Sequence, residues 1–369
     1  MRIGDTEVGA DGSCYTVAEV GSNHGGSLDT CLKMIRAAAD AGADAVKLQR
    51  RHNQTLYTRA QYDAPYDNEN SFGRTYGEHR EALELPLSDW RTALDYAQDC
   101  GITLFGTAFD HPSVDDLVHV GAPAIKIASG DLRNTPLIRY AASTGLPLVI
   151  STGGGNWGDC LRALDAGADA PGLALLHCTM AYPCPPEHLH LACVMQLSIL
   201  LNVAGWDGVV VGASLHDSGI SSAVVAYMLG ARIIEKHFTL DRTMRGTDHA
   251  FSLEPQGMSK MVRDLYRARI SHGSGTIASH AIESLAMLKM GKGVYTSGPI
   301  PAGTLLAAGH LKVCSPATPV STPPYLMDML IGRVTAKELP VDHAIRDADL
   351  APFSPQPRSE TPAPAAIGK

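Results

Sequence analysis

Two histidines, His216 and His237, and two lysines, Lys47 and Lys126, stand near the ends of short apolar runs, with the hydroxyls of Thr107, Ser129, Ser151 and Thr152 at comparable places in the chain. A pair of imidazoles can converge on one divalent ion and leave positions open for water and a substrate oxygen, which suits a Lewis acid that polarises a carbonyl. Manganese, magnesium, cobalt and zinc all suit such a site, and the residues themselves do not choose among them. Ammonium groups among short hydroxyls and a glycine-rich run, Ser151 to Gly155, are what a phosphate or carboxylate requires. A buried Lys47 or Lys126 could instead form the Schiff base of an aldolase, but two lysines beside so many hydroxyls favour anion binding. The densest chemistry lies in Ala231 to Pro255, where an apolar run meets Glu235, Lys236 and His237 and then Asp241, Arg242, Arg245, Asp248 and His249. Charge where a strand should end marks either a solvated loop or a site.

The elements that must position these groups follow a repeated grammar. A helix-like segment ends in a Gly-Xaa turn (Gly42-Ala43, Gly101-Ile102, Gly121-Ala122, Gly145-Leu146, Gly167-Ala168, Gly230-Ala231), and an apolar run follows it. Glycine supplies the left-handed helix C-cap and the run is the next strand. Eight runs fit: Tyr15 to Glu19, Ala45 to Leu48, Thr103 to Gly106, Ala124 to Ile127, Leu148 to Ser151, Ala174 to His177, Val209 to Gly212 and Arg232 to Glu235. Eight strands separated by helices, with no GxGxxG turn, predict an α/β fold of the (β/α)8 TIM-barrel type over residues 1–272 rather than a doubly wound sheet. Their ends offer Glu19; Lys47 and Gln49; Thr107; Lys126 and Ser129; Ser151 and Thr152; His177 and Thr179; Ser214 and His216; Glu235 and His237. Polar groups at every strand end predict a catalytic mouth. The insert His52 to Leu87 is either a lid over it or a surface excursion with its own helix near Gly77 to Leu85.

Past Arg269 the composition shifts. Residues 273–285 read as a linker, 286–353 as a small mostly-β domain of short runs and Gly/Pro turns, and 354–369 as a disordered Pro- and Ala-rich tail. A net charge of −8 with a pI near 6.0 gives no basic patch for nucleic acid or an anionic membrane. No run reaches membrane length, so a cytoplasmic protein is expected. The eight cysteines are scattered and expected to be reduced. His177, Cys178, Cys184, His188, His190 and Cys193 fit no structural zinc spacing.

The runs AEVGSNHGG, GADAVKLQ, LFGTAFD, KIASGD, STGGG, LLHCTMAYP, VGASLHDSG and EKHFTL, with GTDHAFSLEP, resemble the sialic acid synthase (N-acetylneuraminate synthase) family almost end to end across the barrel. More weakly, residues from about Ala286 to Phe353 resemble the antifreeze-like (SAF) domain that closes that family. The resemblance implies metal-dependent condensation of phosphoenolpyruvate with an aldehyde sugar, giving a 2-keto-3-deoxy sugar acid with phosphate leaving by C–O cleavage. It implies His216 and His237 as metal ligands; Glu19, Lys47, Lys126 and Tyr182 as catalytic residues; and Gln49, Thr107, Ser129, Asp131, Ser151 and Asp248 as substrate-binding residues. The cations would face the enol ester while Glu19 stands apart from them, and Glu235 would orient a metal ligand. A domain-swapped homodimer is implied as well. Three positions depart from the family pattern: Met180 replaces an asparagine near the phosphate, Asp131 stands where Glu is common, and Lys312 to Pro316 (KVCSP) lacks the arginine of the family's KRPG-like turn. These departures bear on the acceptor sugar. A Schiff-base aldolase and a non-catalytic sugar-binding barrel are the competing readings.

Overall fold

Side chains alternate across a strand, and here that alternation sorts residues into a barrel interior and a helix-facing layer. The protein's structure, a computed structural model, describes residues 1–9 and 12–352. In its first compact unit, Met1–Ser274, eight parallel strands close a barrel in chain order: β1 Tyr15–Gly21, β2 Ala45–Arg50, β3 Thr103–Ala108, β4 Ile125–Ile127, β5 Leu148–Ser151, β6 Leu173–Cys178, β7 Val210–Leu215 and β8 Ile233–His237. Strand β8 pairs with β1 to complete the ring. The outer layer is α1 Leu28–Asp40, α2 Leu87–Asp99, α3 His111–Val120, α4 Thr135–Ala142, α5 Trp157–Ala166, α6 Ala192–Val203, α7 Ser221–Met228 and α8 Pro255–His272. This is the (β/α)8 barrel that the sequence predicts.

Helix α1 shows how one unit is specified. The Ser27 hydroxyl accepts from the Thr30 amide at 3.3 Å and starts the helix. Cys31, Met34, Ile35 and Ala38 then form one fully buried stripe at helical spacing. Burying side chains such as Met34 and Ile35 contributes on the order of 1.5–3 kcal/mol each. Gly42, at φ +83°, turns the chain into β2.

Inside the barrel the lower layers are apolar: Tyr15, Val17, Ala45, Phe105, Ala124, Val149, Ala174, Leu176 and Ile233 pack together with Ile3 and Val8. Ile3 belongs to a small antiparallel pairing of Arg2–Ile3 with Thr6–Glu7. Gly212 lies at this level because a Cβ there would stand 2.4 Å from Leu176 Cδ2. Intervening residues such as Ala18, Val46, Leu48, Ile125 and Ile150 face the helices.

The charged triplet Glu235-Lys236-His237 does not follow β8 but lies within it, in register with Val17, Ala18 and Glu19 of β1. Charge does not end the strand because two of these side chains find buried partners. Glu235 accepts from Ser214 on one face. Lys236, 1% exposed on the other, donates to Asp217 Oδ1 at 2.9 Å, and Ser222 Oγ donates to the same carboxylate at 2.8 Å.

The insert after β2 folds into three short helices, Asn53–Leu56, Arg59–Tyr62 and Tyr76–Ala82. It is tied to the loop after β8: Arg245 Nε donates to Glu69 O at 3.1 Å, and the Gly246 amide to Asn70 Oδ1 at 3.1 Å. The second unit, Gly275–Lys369, contains antiparallel β9 Gly293–Thr296 and β10 Leu311–Cys314. Its separate apolar core is made of Val294, Ile300, Leu306, Leu311, Leu330, Leu339, Ile345 and Leu350. The stretch expected as a linker holds a 3₁₀ turn, Ala281–Glu283, and leads into a helix, Ser284–Met290. The tail expected at 354–369 lies outside the described residues. Among the described residues no helix is long and apolar enough to cross a membrane.

His24, 3% exposed, links the end of β1 to α1: its Nδ1 accepts the Gly26 amide at 3.1 Å. Burial, reinforced by the Arg51 charge and opposed by a backbone hydrogen bond at Gly21, lowers its pKa to about 4. The unfolded chain therefore takes up this proton near pH 6.5 and the native state only near pH 4, so native stability falls as pH drops through that window, by up to about 3 kcal/mol. Urea unfolding followed from about pH 7 to about pH 4.5 should show this loss, and His24→Gln should make it smaller, with the remainder coming from other buried histidines such as His216. Equal pH slopes for the two proteins would refute the assignment.

Candidate active site at the barrel mouth

Counting by twos up from the apolar layers leads to a polar ring. Lys47, 3% exposed on β2, is its centre: Nζ lies 2.6 Å from Glu19 Oε2, donates to Thr107 Oγ1 at 2.8 Å and is 3.8 Å from Glu235 Oε2. Glu19 Oε1 accepts from Gln49 Nε2 at 2.8 Å, and Glu235 Oε1 from Ser214 Oγ at 2.9 Å. Glu19 thus does not stand apart from the cations as expected. Parallel pairing puts Glu19 directly beside Lys47, and neither ion could remain buried and charged alone. Nor does Glu235 bond either histidine; its two oxygens face Ser214 and Lys47. Burial acts to raise the Glu235 pKa, but the Lys47 and Lys126 charges outweigh it and hold the carboxyl ionised well below the usual range.

Lys126, on β4, donates to Ser151 Oγ and, at 3.0 Å, to Ile127 O. Burial lowers its pKa, with Lys47 adding to the effect and Glu235 opposing it. Ser129 Oγ accepts the Gly153 amide at 3.0 Å. A Cβ on Gly153 would come within 2.7 Å of both Ser129 Oγ and Met180 Cγ, so the glycine lets the loop sit closely between them. Two cations, two anions and a set of hydroxyl donors are thereby gathered in one cavity, which His216, His237 and Tyr182 also line.

The two imidazoles approach with ring centroids 5.3 Å apart. His216 Nδ1 lies 2.9 Å from Thr179 O; a carbonyl only accepts, so Nδ1 carries the proton and Nε2 keeps its lone pair. Burial and the neighbouring His237 lower the His216 pKa to about 4, so the ring is neutral at ordinary pH. His237 Nδ1 is buried without a hydrogen-bond partner and is 3.6 Å from Asp248 Oδ2. Phe251 packs at 5.0 Å from the His237 ring and Tyr182 at 4.2 Å from that of His216. An oriented neutral imidazole beside one with an unpartnered nitrogen fits a divalent ion held by two protein nitrogens. Among the described residues no group of three or more His, Cys, Asp or Glu side chains forms a denser metal site.

Of the residues that the sequence nominates, Glu19, Lys47, Gln49, Thr107, Lys126, Ser129, Ser151, Tyr182, His216 and His237 line this one cavity. Asp248 stands next to His237. Asp131 is drawn away: its Oδ1 accepts the Asn134 amide at 2.9 Å and it does not line the cavity. His177 faces the helix layer, with Nε2 2.7 Å from Leu189 O. Thr152 and Thr179 spend their hydroxyls on the Leu176 and His188 carbonyls. Strand β6 instead brings Cys178 to the mouth. Cys178 follows Ala174 and Leu176 in the period-two pattern, a signal that reading only the strand's last residues misses. Phe109 also lines the cavity, and no sequence signal pointed to it.

The chain is similar to known proteins over most of its length. The NeuB family profile matches residues 34–277. Human N-acetylneuraminate-9-phosphate synthase is 33% identical over 342 residues, spanning 90% of this chain and 92% of that protein. The N,N'-diacetyllegionaminic acid synthase of Campylobacter jejuni is 32% identical over 336 residues, spanning 90% and 98%. The crystal structure of the N-acetylneuraminic acid (sialic acid) synthetase of Leptospira borgpetersenii superposes with a TM-score of 0.67 at 30% identity, covering 78% of this chain and 94% of that one. Matched by the family profile over most of its barrel and by relatives over about nine tenths of its length, the chain belongs to the NeuB family of sialic acid synthase-like proteins.

Proposed function

We propose that the protein condenses phosphoenolpyruvate with an aldose to form a 2-keto-3-deoxy sugar acid and phosphate. The observation that carries this reading is the single cavity in which two buried ammonium groups with hydroxyl donors lie beside two imidazoles 5.3 Å apart. An anion site next to a carbonyl-activating site is what joining an enol phosphate to an aldehyde requires. The named relatives make sialic-type acids with and without a phosphate, so family membership leaves the acceptor open.

In this reading Lys47 and Lys126, with Thr107, Ser129 and Ser151, hold the phosphate and carboxylate of phosphoenolpyruvate. Gln49, Tyr182 and Asp248 face the acceptor. A divalent ion, manganese first and magnesium, cobalt or zinc otherwise, would be held by His216 and His237 and would supply Lewis acidity toward the aldehyde. C3 of the enol ester forms the new bond to the aldehyde carbon, leaving an oxocarbenium at C2, and the aldehyde oxygen becomes a hydroxyl. Water adds at C2 and gives one proton to Glu19, which returns it to the oxygen of the former aldehyde; the C2 hydroxyl then gives its proton to the departing phosphate as the C2–O bond breaks, and the ketone remains. An anion competing for Lys47 loosens the Lys47–Glu19 pair and frees Glu19 to take that proton. Asp131 is left out because its carboxylate is committed to Asn134. We assign residues 286–353 to an antifreeze-like domain that closes the mouth of a partner subunit in a homodimer. A cytoplasmic location agrees with eight unpaired cysteines.

Incubation with phosphoenolpyruvate, manganese and a panel of aldoses should release phosphate and give a product with the mass of the aldose plus pyruvic acid, read by colorimetry and mass spectrometry. A chelator should stop turnover and manganese restore it. His237→Ala should be inactive with an unchanged thermal melt. Trapping by borohydride with pyruvate, indifferent to chelator, would instead assign a Schiff-base aldolase at the buried Lys126 or Lys47.

Lys47→Ala leaves two buried carboxylates without their cation. It should lose turnover and about 3–5 kcal/mol of stability in urea unfolding; a loss under about 1 kcal/mol would show that the pair is not buried as described. Light scattering should give a dimer, and a fully active monomer would remove the partner-capping role of the second domain.

A further inference from the structure

A carboxylate that gives up its cation to an incoming anion also loses what fixes its place, and Glu19 is in that position once Lys47 turns to phosphoenolpyruvate. Its other oxygen has a second hold. Glu19 Oε1 accepts from Gln49 Nε2 at 2.8 Å, and Gln49 Oε1 in turn accepts from Arg51 Nη2. A carboxylate only accepts and a guanidinium only donates, so the amide between them has one workable orientation. Turned over, it would set its carbonyl against Glu19 and its NH2 against Arg51. Gly21 leaves room for the first of these bonds. Its φ of +57° suits glycine, and a Cβ there would stand 3.1 Å from Glu19 Oε1 and 3.2 Å from Gln49 Nε2.

Arg51 is itself held in place. It is 8% exposed just past β2, and its guanidinium lies 3.9 Å over the Phe109 ring. Its amide donates to Glu84 Oε2 at 3.2 Å and its Nη1 is 3.6 Å from Glu84 Oε1, so the end of the insert after β2 anchors it. Gln49 and Phe109 line the mouth cavity and Arg51 does not, so any effect it has on the reacting groups passes through those two side chains. A cation on the amide carbonyl also polarises the amide and strengthens the N–H that Glu19 receives. We infer that Arg51 is a positioning residue for the condensation: through the Gln49 amide it keeps the Glu19 carboxylate in place while the anion occupies Lys47. The inference rests on the condensation reading for the task of Glu19, and on these contacts for the relay.

The test is steady-state kinetics of the full-length protein with phosphoenolpyruvate, manganese and an aldose that it turns over. Arg51→Met should lower kcat about tenfold or more and leave the KM for phosphoenolpyruvate within about twofold, because Lys47 and Lys126 keep their own partners. An unchanged kcat overturns the inference. So does a KM that rises in step with the fall in kcat, since that would mean the whole mouth had shifted. Should Arg51→Met fail to fold with Glu84 short of a cation, the Arg51→Met, Glu84→Gln double variant carries the same test with the same outcomes. A second measurement needs no turnover. In urea unfolding, the midpoint losses of Arg51→Met and Glu19→Leu should sum to more than the loss in the double variant, because the two side chains are linked without touching. Additive losses defeat the relay and leave the reaction standing, whereas absence of condensation with every aldose defeats the reaction and leaves the unfolding cycle to decide the relay.

Discussion

The contact on which the mouth depends is the buried ion cluster at Lys47, whose ammonium lies 2.6 Å from Glu19 and 3.8 Å from Glu235. Each of these ions alone would be costly at such burial; together, with Thr107, Gln49 and Ser214 filling the remaining hydrogen-bond positions, they are stable. The arrangement sets a cationic floor that an anion can enter only by competing with carboxylates already in place. In the proposed reaction this arrangement would link binding of phosphoenolpyruvate to release of Glu19 as a base.

The cluster exists because the barrel is in register. Glu19 and Lys47 are Cα partners across β1 and β2, and Glu235 is a partner of Ser214 across β8 and β7. A one-residue slip in any strand would turn its charged residue into the helix layer. The apolar layers of Phe105, Leu176 and Ile233 below the ring hold that register, so the lower half of the barrel positions the upper half. Lys236 shows the same rule from the other side: one step out of phase, it faces α7 and is neutralised by Asp217 rather than by the site.

On the acceptor side, control passes from strands to loops. The insert and the loop after β8 are joined through Arg245, Asn70 and Gly246, so Asp248 is placed by contacts between segments about 175 residues apart in the chain, a separation typical of loop-built specificity on this fold. Met180 lies against Gly153 at the edge of the anion loop. In the proposed function these loops would carry the choice of acceptor, while the ion cluster of the barrel would serve the phosphoenolpyruvate half of the reaction.

The sequence by itself determined the barrel, the place of its strands and most of the mouth, because apolar runs, glycine turns and polar strand ends are local signals repeated eight times over. Twelve of the residues it nominates, Ser214 and Glu235 among them, meet in one cavity. It did not determine which of two adjacent strand-end residues faces inward, so His177 was nominated where Cys178 lines the site, and Asp131 where the carboxylate instead caps Asn134. It also set Glu19 apart from the cations and ended β8 before His237. Only the tertiary structure decided these points: facing depends on inter-strand register, the pairing of Glu19 with Lys47 on which strands become neighbours, and the pairing of Arg51 with Glu84 on an insert folding back over the barrel. Those are long-range consequences of ring closure, and no window of sequence contains them.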